Sequence, residues 1–284
     1  MTGSVVVTGA SGFIGNALVH FLAEQGTTVT AISRQPCAVP KNVQQIIVNH
    51  YADAPVETDS VVIHVAELSN IGEIEKLGTP CINEAYERAR HLLEKKFQRF
   101  VYVSSGSVYG TGYQTPRTTS AEVKTDTVYN AGKLVVEKLV RASGGTVARI
   151  SNIYGPPVKA GTIFFDILSQ IPGSDPLKVQ DTHPARDYLW IDDLVRGLTA
   201  MALGKPNGTF NLGTGIATTA EDIARTALDV AGETSRLVKG TTTNRQNETD
   251  CLVLDSSQTE SSFGWRAETT LVRGMKILLK EQNG

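Results

Sequence analysis

A doubly wound α/β fold with a parallel central sheet follows from two features of the sequence. Short, nearly continuous apolar runs alternate with stretches of helical periodicity through the first half of the chain, the pattern of strands covered on both faces by helices. A glycine-rich turn, GASGFIG (9–15), joins the first such strand to the first such helix. The 284-residue chain carries 27 basic and 29 acidic side chains, a net charge of −2, so composition implies no field that recruits nucleic acid or an anionic membrane. No apolar run approaches the ~18 residues of a membrane span. MTGSVVVTGASG enters a strand at once, without a cleavable apolar segment. Cys37, Cys81 and Cys251 are widely spaced and in no metal pattern, so a reducing, cytoplasmic setting is expected.

The elements follow in order. SVVVT is the first strand. GFIGNALVHFLAEQG puts Ile14, Leu18, Phe21 and Leu22 on one helical face, and Gly26 closes it. TTVTAIS, VQQIIV and SVVIHVA read as the second to fourth strands. PCINEAYERARHLLEKKF is a helix from Pro80, RFVYVSS a fifth strand, 127–142 a helix and TVARI a sixth strand. Between the third and fourth strands lie only about eleven residues, NHYADAPVETD. A parallel crossover normally needs a dozen or more, so its helix is expected to be lost or reduced. Beyond residue 151, SNIYGPP is a loop, GTIFFDILSQI a helix, RDYLWIDDLVRGLTAMAL a strand running into a helix, GTFNLGTG a strand and turn, TTAEDIARTALDVAG a helix, and TTTNRQNETD a polar surface segment. The expected division is a dinucleotide-binding Rossmann domain over 1–155, with part of 187–212 packing back on it, and a smaller substrate-binding region over 156–284.

The glycine turn predicts a dinucleotide site. Gly9 allows the tight turn, Gly12 lets the backbone approach a pyrophosphate, and Gly15 lets the helix pack close to the strand. Phe13 and Ile14 open the helix whose N-terminal amides favour the anion. An NAD site usually carries an acid about 20 residues on. Here the second strand ends AISRQP, with Ser33 and Arg34 instead. A guanidinium pairs with a 2′-phosphate through charge-assisted hydrogen bonds, so NADP(H) is favoured, with NAD(H) as the alternative.

TVYNAGKLVVEK (127–138) predicts a proton-transfer pair. A free tyrosine has a pKa of about 10 and is a poor base at neutral pH. Residues i and i+4 are helical neighbours, so Lys133 stands one turn from Tyr129. A positive charge about 4 Å away contributes on the order of 4 kcal/mol at an effective dielectric near 20, or roughly three pKa units. The serine-rich turn of FVYVSSGSVYG ends a strand at the edge where such sheets bind ligands. A serine hydroxyl there can steady charge developing on a substrate oxygen.

TGASGFIG, VVIHVAE, RFVYVSSGSVYG, YNAGK, ARISNIYGPP, RDYLWIDDL, FNLGTG and DSSQTESSFGW together resemble the extended short-chain dehydrogenase/reductase superfamily, in its NAD-dependent epimerase/dehydratase branch acting on nucleotide sugars. The resemblance implies Ser105, Tyr129 and Lys133 as the catalytic set, with Tyr129 and Lys133 also touching the cofactor. It implies Ala66 beside the cofactor, Ser107 and Asn152 against substrate, and Arg186 against the nucleotide diphosphate. It also implies a homodimer formed through the tyrosine-bearing helix. Departures from the pattern stand out. The 4,6-dehydratases carry an Asp-Glu pair where this chain has Gly106 and Ser107. Glu67 replaces a small residue near the cofactor, and His50 an acid that contacts adenine, with Asp53 nearby.

Hydride transfer accounts for the whole set. The expected activity is a nucleotide-sugar oxidoreductase, a 4-keto-sugar reductase by the Ser33–Arg34 signal. The alternatives are a 4-epimerase (an isomerase) with retained NAD, and a dinucleotide-binding sensor without chemistry.

Overall fold

A computed structural model describes residues 4–67, 70–242 and 250–282. Strand β1 (Val5–Thr8) leads through the glycine turn to α1 (Phe13–Glu24), then β2 (Val29–Ser33), β3 (Gln44–Ile47) and β4 (Val61–His64). Helices α2 (Ile71–Leu77) and α3 (Thr79–Leu93) precede β5 (Arg99–Ser105), α4 (Val128–Ala142) and β6 (Thr146–Ile150). Two details of this half differ from the sequence expectation, and beyond it the SNIYGPP segment expected as a loop holds a short strand, Asn152–Tyr154. The charged helix begins at Thr79, and α2, a helix the periodicity did not reveal, stands before it. Asn70 caps α2, and Gly78, at φ 68°, separates the two helices. Gly78 marks a break that apolar spacing over so short a helix does not show. As expected, only a single 3₁₀ turn, Tyr51–Asp53, bridges β3 and β4.

Short strands β7 (Asn152–Tyr154), β8 (Leu177–Val179), β9 (Ala185–Arg186) and β10 (Tyr188–Trp190) alternate with α5 (Ile163–Leu168) and lead into α6 (Ile191–Leu203). Then comes β11 (Gly208–Leu212), followed by β12 (Thr218–Thr219), α7 (Ala220–Ala231), β13 (Val238–Gly240), β14 (Cys251–Leu252), α8 (Ser257–Phe263) and α9 (Leu271–Gln282). The polar segment expected over 241–250 lies largely outside the described residues. No helix among the described residues is long and apolar enough to cross a membrane.

The central sheet has seven strands in the order β11-β6-β5-β4-β1-β2-β3, and its registered pairs are all parallel. The order in which successive strands are added reverses between β1 and β4, the switch point where open α/β sheets bind ligands. Alternation along each strand feeds two apolar layers. Val5 and Val7 face a core shared with α1 and α6, while Val6, Ile32 and Phe100 face Ala85 and Ala89 of α3 and Val136 and Val140 of α4. The first layer continues without a break into the C-terminal region, through Leu168, Leu177 and Leu278. Each large side chain buried there contributes about 1.5–3 kcal/mol.

Candidate active site

Because the sheet is parallel, its strand ends gather at one edge: the Gly9 turn, Arg34, His64 to Glu67, Ser105 and Asn152. The cradle is built by close approach. Gly9 sits at φ 80°, and a Cβ there would stand 2.8 Å from the Ala66 amide nitrogen. A Cβ on Gly15 would stand 2.2 Å from the Gly9 carbonyl. Only glycine lets the turn tuck under β4 and leave a cleft. This cleft of about 430 Å³ is lined by Gly9, Gly12, Phe13, Ile14, Arg34, Tyr51, Ala66, Glu67 and Arg88. Its shape and exposed glycine turn fit a dinucleotide, which Gly12 and Arg34 would be among the residues to hold.

Ser33 behaves differently from Arg34. It is fully buried, and its hydroxyl donates to the Gln35 carbonyl at 2.6 Å. What it contributes is the turn that presents Arg34, which is exposed on the cleft. Tyr51, which the sequence did not single out, lines the same cleft. Burial pushes its phenol up, and the Arg34 and Arg88 guanidiniums pull it back. His50 and Asp53, on either side of it, are exposed.

Tyr129 and Lys133 come together on the first turns of α4. Thr127 caps the helix, its hydroxyl accepting the Asn130 amide at 3.0 Å. A carboxylate from α2, Glu75, accepts the Val128 and Tyr129 amides at 3.3 and 3.1 Å, the favourable charge for a helix N-terminus. Lys133, Val136, Glu137 and Val140 recur on the buried face of the helix. The lysine, only 7% exposed, donates to the Val103 carbonyl at 3.2 Å. Its ammonium lies 5.8 Å from the centre of the Tyr129 ring. Tyr129 and Lys133 share a small cavity with Glu67 and Arg88, which also line the glycine cleft. The pair therefore faces the dinucleotide path.

Ser105 joins this pair through a hydrogen-bonded chain. The Ser107 hydroxyl donates to Asn130 Oδ1 at 2.8 Å, which leaves it to accept from Ser105 at 2.9 Å. The Ser107 amide returns a bond to Ser105 Oγ. The serine turn is thus tied to the residue beside Tyr129. Deeper in, Glu137 accepts from Ser104 at 2.6 Å and from Arg149 at 2.9 and 2.6 Å, and Arg149 also reaches the Tyr109 hydroxyl. These buried groups pin α4 to β5 and β6.

Asn152 and Arg186 both meet Tyr188. Register places Asn152 opposite Tyr188, whose phenol is pushed up by burial and pulled back by Arg186 and by a hydrogen bond with Asn152. Tyr188 lines a space of about 710 Å³ with Lys178, Gln180 and Thr241. The Arg186 guanidinium is engaged by Asp250, 2.7 Å from both its carbonyl and its Oδ1. Asp187, next to Arg186 in the chain, is buried and accepts the Thr214, Gly215 and Leu254 amides.

A switch-point cleft over a glycine turn, with a buried lysine one helical turn from a tyrosine beside it, defines a dinucleotide-dependent enzyme of the short-chain dehydrogenase/reductase type. The chain belongs to the NAD dependent epimerase/dehydratase family, whose description matches residues 5–213. It is 24% identical to UDP-glucuronic acid decarboxylase 2 of Arabidopsis thaliana over 98% of this chain and 67% of that one. It is 25% identical to dTDP-4-dehydro-6-deoxyglucose reductase of Escherichia coli over 97% and 96%. The fold superposes on a UDP-glucose 4-epimerase of Thermotoga maritima, solved with UDP-glucose, at a TM-score of 0.83, with 21% identity and coverage of 99% and 98%. The family comprises nucleotide-sugar epimerases, dehydratases and reductases that use NAD.

Proposed function

We propose that the protein is an NADPH-dependent reductase of a 4-keto nucleotide sugar. The observation that carries this reading is Arg34, exposed on the cleft where an NAD site would place an acid. Its guanidinium suits a 2′-phosphate. The nicotinamide dinucleotide, when bound, supplies the hydride. Tyr129 gives its proton to the oxygen that gains charge, Ser105 hydrogen-bonds that oxygen, and Lys133 holds the phenol in place. Asn152 and the cavity beside Tyr188 take the sugar nucleotide, and Arg186 meets its diphosphate by exchanging Asp250 for it. Ser107, through its bond to Ser105, sets the depth at which the sugar sits.

Elimination of water has less support. A Cβ on Gly106 would stand 2.9 Å from Leu254 Cδ2 and 3.2 Å from the Ile150 carbonyl, so an aspartate where the 4,6-dehydratases place one would have to displace Leu254 and crowd that carbonyl. A 4-epimerase is the second reading. The same Ser105, Tyr129 and Lys133 serve both directions of hydride transfer, which an epimerase needs.

Purified protein is incubated with a panel of UDP-, dTDP- and GDP-4-keto sugars, and NADPH absorbance is followed against NADH. Consumption with a lower Michaelis constant for NADPH is expected. Protein that carries NAD and epimerises a UDP-sugar without added cofactor overturns the reductase reading in favour of the epimerase. The homodimer belongs to the same proposal: Val135 stands exposed on α4, and size-exclusion chromatography with light scattering reads the assembly.

A further inference from the structure

The link between β3 and β4 is too short for a helix, and its single turn puts a tyrosine on the glycine cleft. Tyr51 is only 7% exposed. Its ring packs in the apolar layer with Ile32, Val48 and Ala54, edge-on to His64 with ring centres 6.5 Å apart. Close packing of this kind holds a ring in place. The phenol is within hydrogen-bond reach of the Gly9 backbone and of the Arg34 guanidinium. A guanidinium has no acceptor, so Arg34 donates and the phenol oxygen accepts.

Arg34 needs such a partner. It is exposed, and among the described residues no carboxylate forms an ion pair with it. A long side chain left free loses rotamer freedom when it grips an anion, and that loss weakens binding. A phenol on a fixed ring restricts the side chain beforehand without cancelling its charge, as an acid would. Arg88, the other cation on the cleft, is placed differently. Its guanidinium lies 6.0 Å from the Tyr51 ring centre. It donates to Glu84 at 2.6 Å and to the Ala66 carbonyl at 2.9 Å, with Glu67 3.8 Å away. With two carboxylates beside Arg88, Arg34 is the cation on this cleft left to meet an anion.

We propose that Tyr51 is a positioning residue for Arg34, holding the guanidinium where it reads a 2′-phosphate, so that cofactor preference depends on a side chain from a neighbouring strand end. This rests on the NADPH reading and deepens it, and is independent of the sugar and of the reaction. The test is calorimetric titration of full-length wild type, Tyr51→Phe, Arg34→Gln and the double variant. The ligands are adenosine 2′,5′-bisphosphate and adenosine 5′-monophosphate, which differ by the 2′-phosphate alone. Wild type is expected to bind the bisphosphate about tenfold tighter or more, and Arg34→Gln to lose most of that preference. Tyr51→Phe keeps the ring and is expected to bind the bisphosphate about fivefold more weakly, with the monophosphate within about twofold. In the double variant the tyrosine change is expected to add nothing to the arginine change, because the phenol acts through the guanidinium. Unchanged bisphosphate affinity in Tyr51→Phe, an equal loss for both ligands, or a further loss in the double variant overturns the proposal and leaves the NADPH reading standing. A wild type without the preference, or an Arg34→Gln variant that keeps it, sinks the NADPH reading and this proposal with it. Should Tyr51→Phe fail to fold, Tyr51→Leu, apolar and without a hydroxyl, is read by the same outcomes.

Discussion

Tyr129 and Lys133 show how far local spacing reaches. The i, i+4 relation brought them to neighbouring turns, and the structure keeps the ammonium 5.8 Å from the ring centre. Tyr129→Phe is expected to lower turnover about 10²- to 10⁴-fold and to weaken dinucleotide affinity far less; steady-state kinetics and titration check both. Ser33 shows the opposite case. A short polar side chain after a strand satisfies its own turn as readily as a ligand, and here it does so with Gln35. His64 makes a pH prediction. Burial holds its pKa below the ordinary 6.5, with Arg88 and Lys133 adding to the depression and Glu67 opposing it. Below about pH 6.5 the unfolded chain therefore takes up a proton that the folded chain does not, and stability falls as pH drops. Melting temperature is expected to decline between about pH 7.5 and 5.5, less steeply in His64→Asn. Equal slopes in the two proteins would assign the decline to other groups.

At the scale of elements, the strands and long helices were legible because each carries its own period. α2 was not, since seven residues hold too few turns for an apolar stripe to show. Yet α2 supplies Glu75 to the amides that open α4. The start of α4 is thus held from two sides, by its own Thr127 and by a neighbour about fifty residues earlier in the chain. Thr127→Ala is expected to cost about 1 kcal/mol and, by loosening the turn that carries Tyr129, to lower turnover more than it raises KM. Urea denaturation gives the first quantity and steady-state kinetics the second. Full stability with normal turnover would mean that Glu75 alone suffices.

Across the whole molecule, a buried ion pair joins the site to the sheet. Glu137 is fully buried and Arg149 is 3% exposed. With Ser104, Tyr109 and Asn211 they link α4 to β5, β6 and β11. Removing one partner leaves an unpaired buried charge, so Arg149→Met is expected to cost about 3–5 kcal/mol. The double variant Glu137→Leu/Arg149→Met is expected to recover part of that loss. Chemical denaturation of the two proteins decides it: a double variant weaker than the single one would show that the pair stabilises beyond its own neutralisation.

The sequence by itself determined what depends on neighbours along the chain: the alternating elements, the glycine turn, the tyrosine–lysine spacing and the arginine in place of an acid. These follow from backbone sterics and helical or strand periodicity, which act over a few residues. Tertiary structure alone decided which groups meet across the sheet edge. It brought Glu67 to Lys133 and Arg88, Glu75 to the start of α4, Asp250 to Arg186 and Leu254 against Gly106. Such meetings are set by strand order and by the close packing of segments far apart in the chain, and no local pattern encodes them.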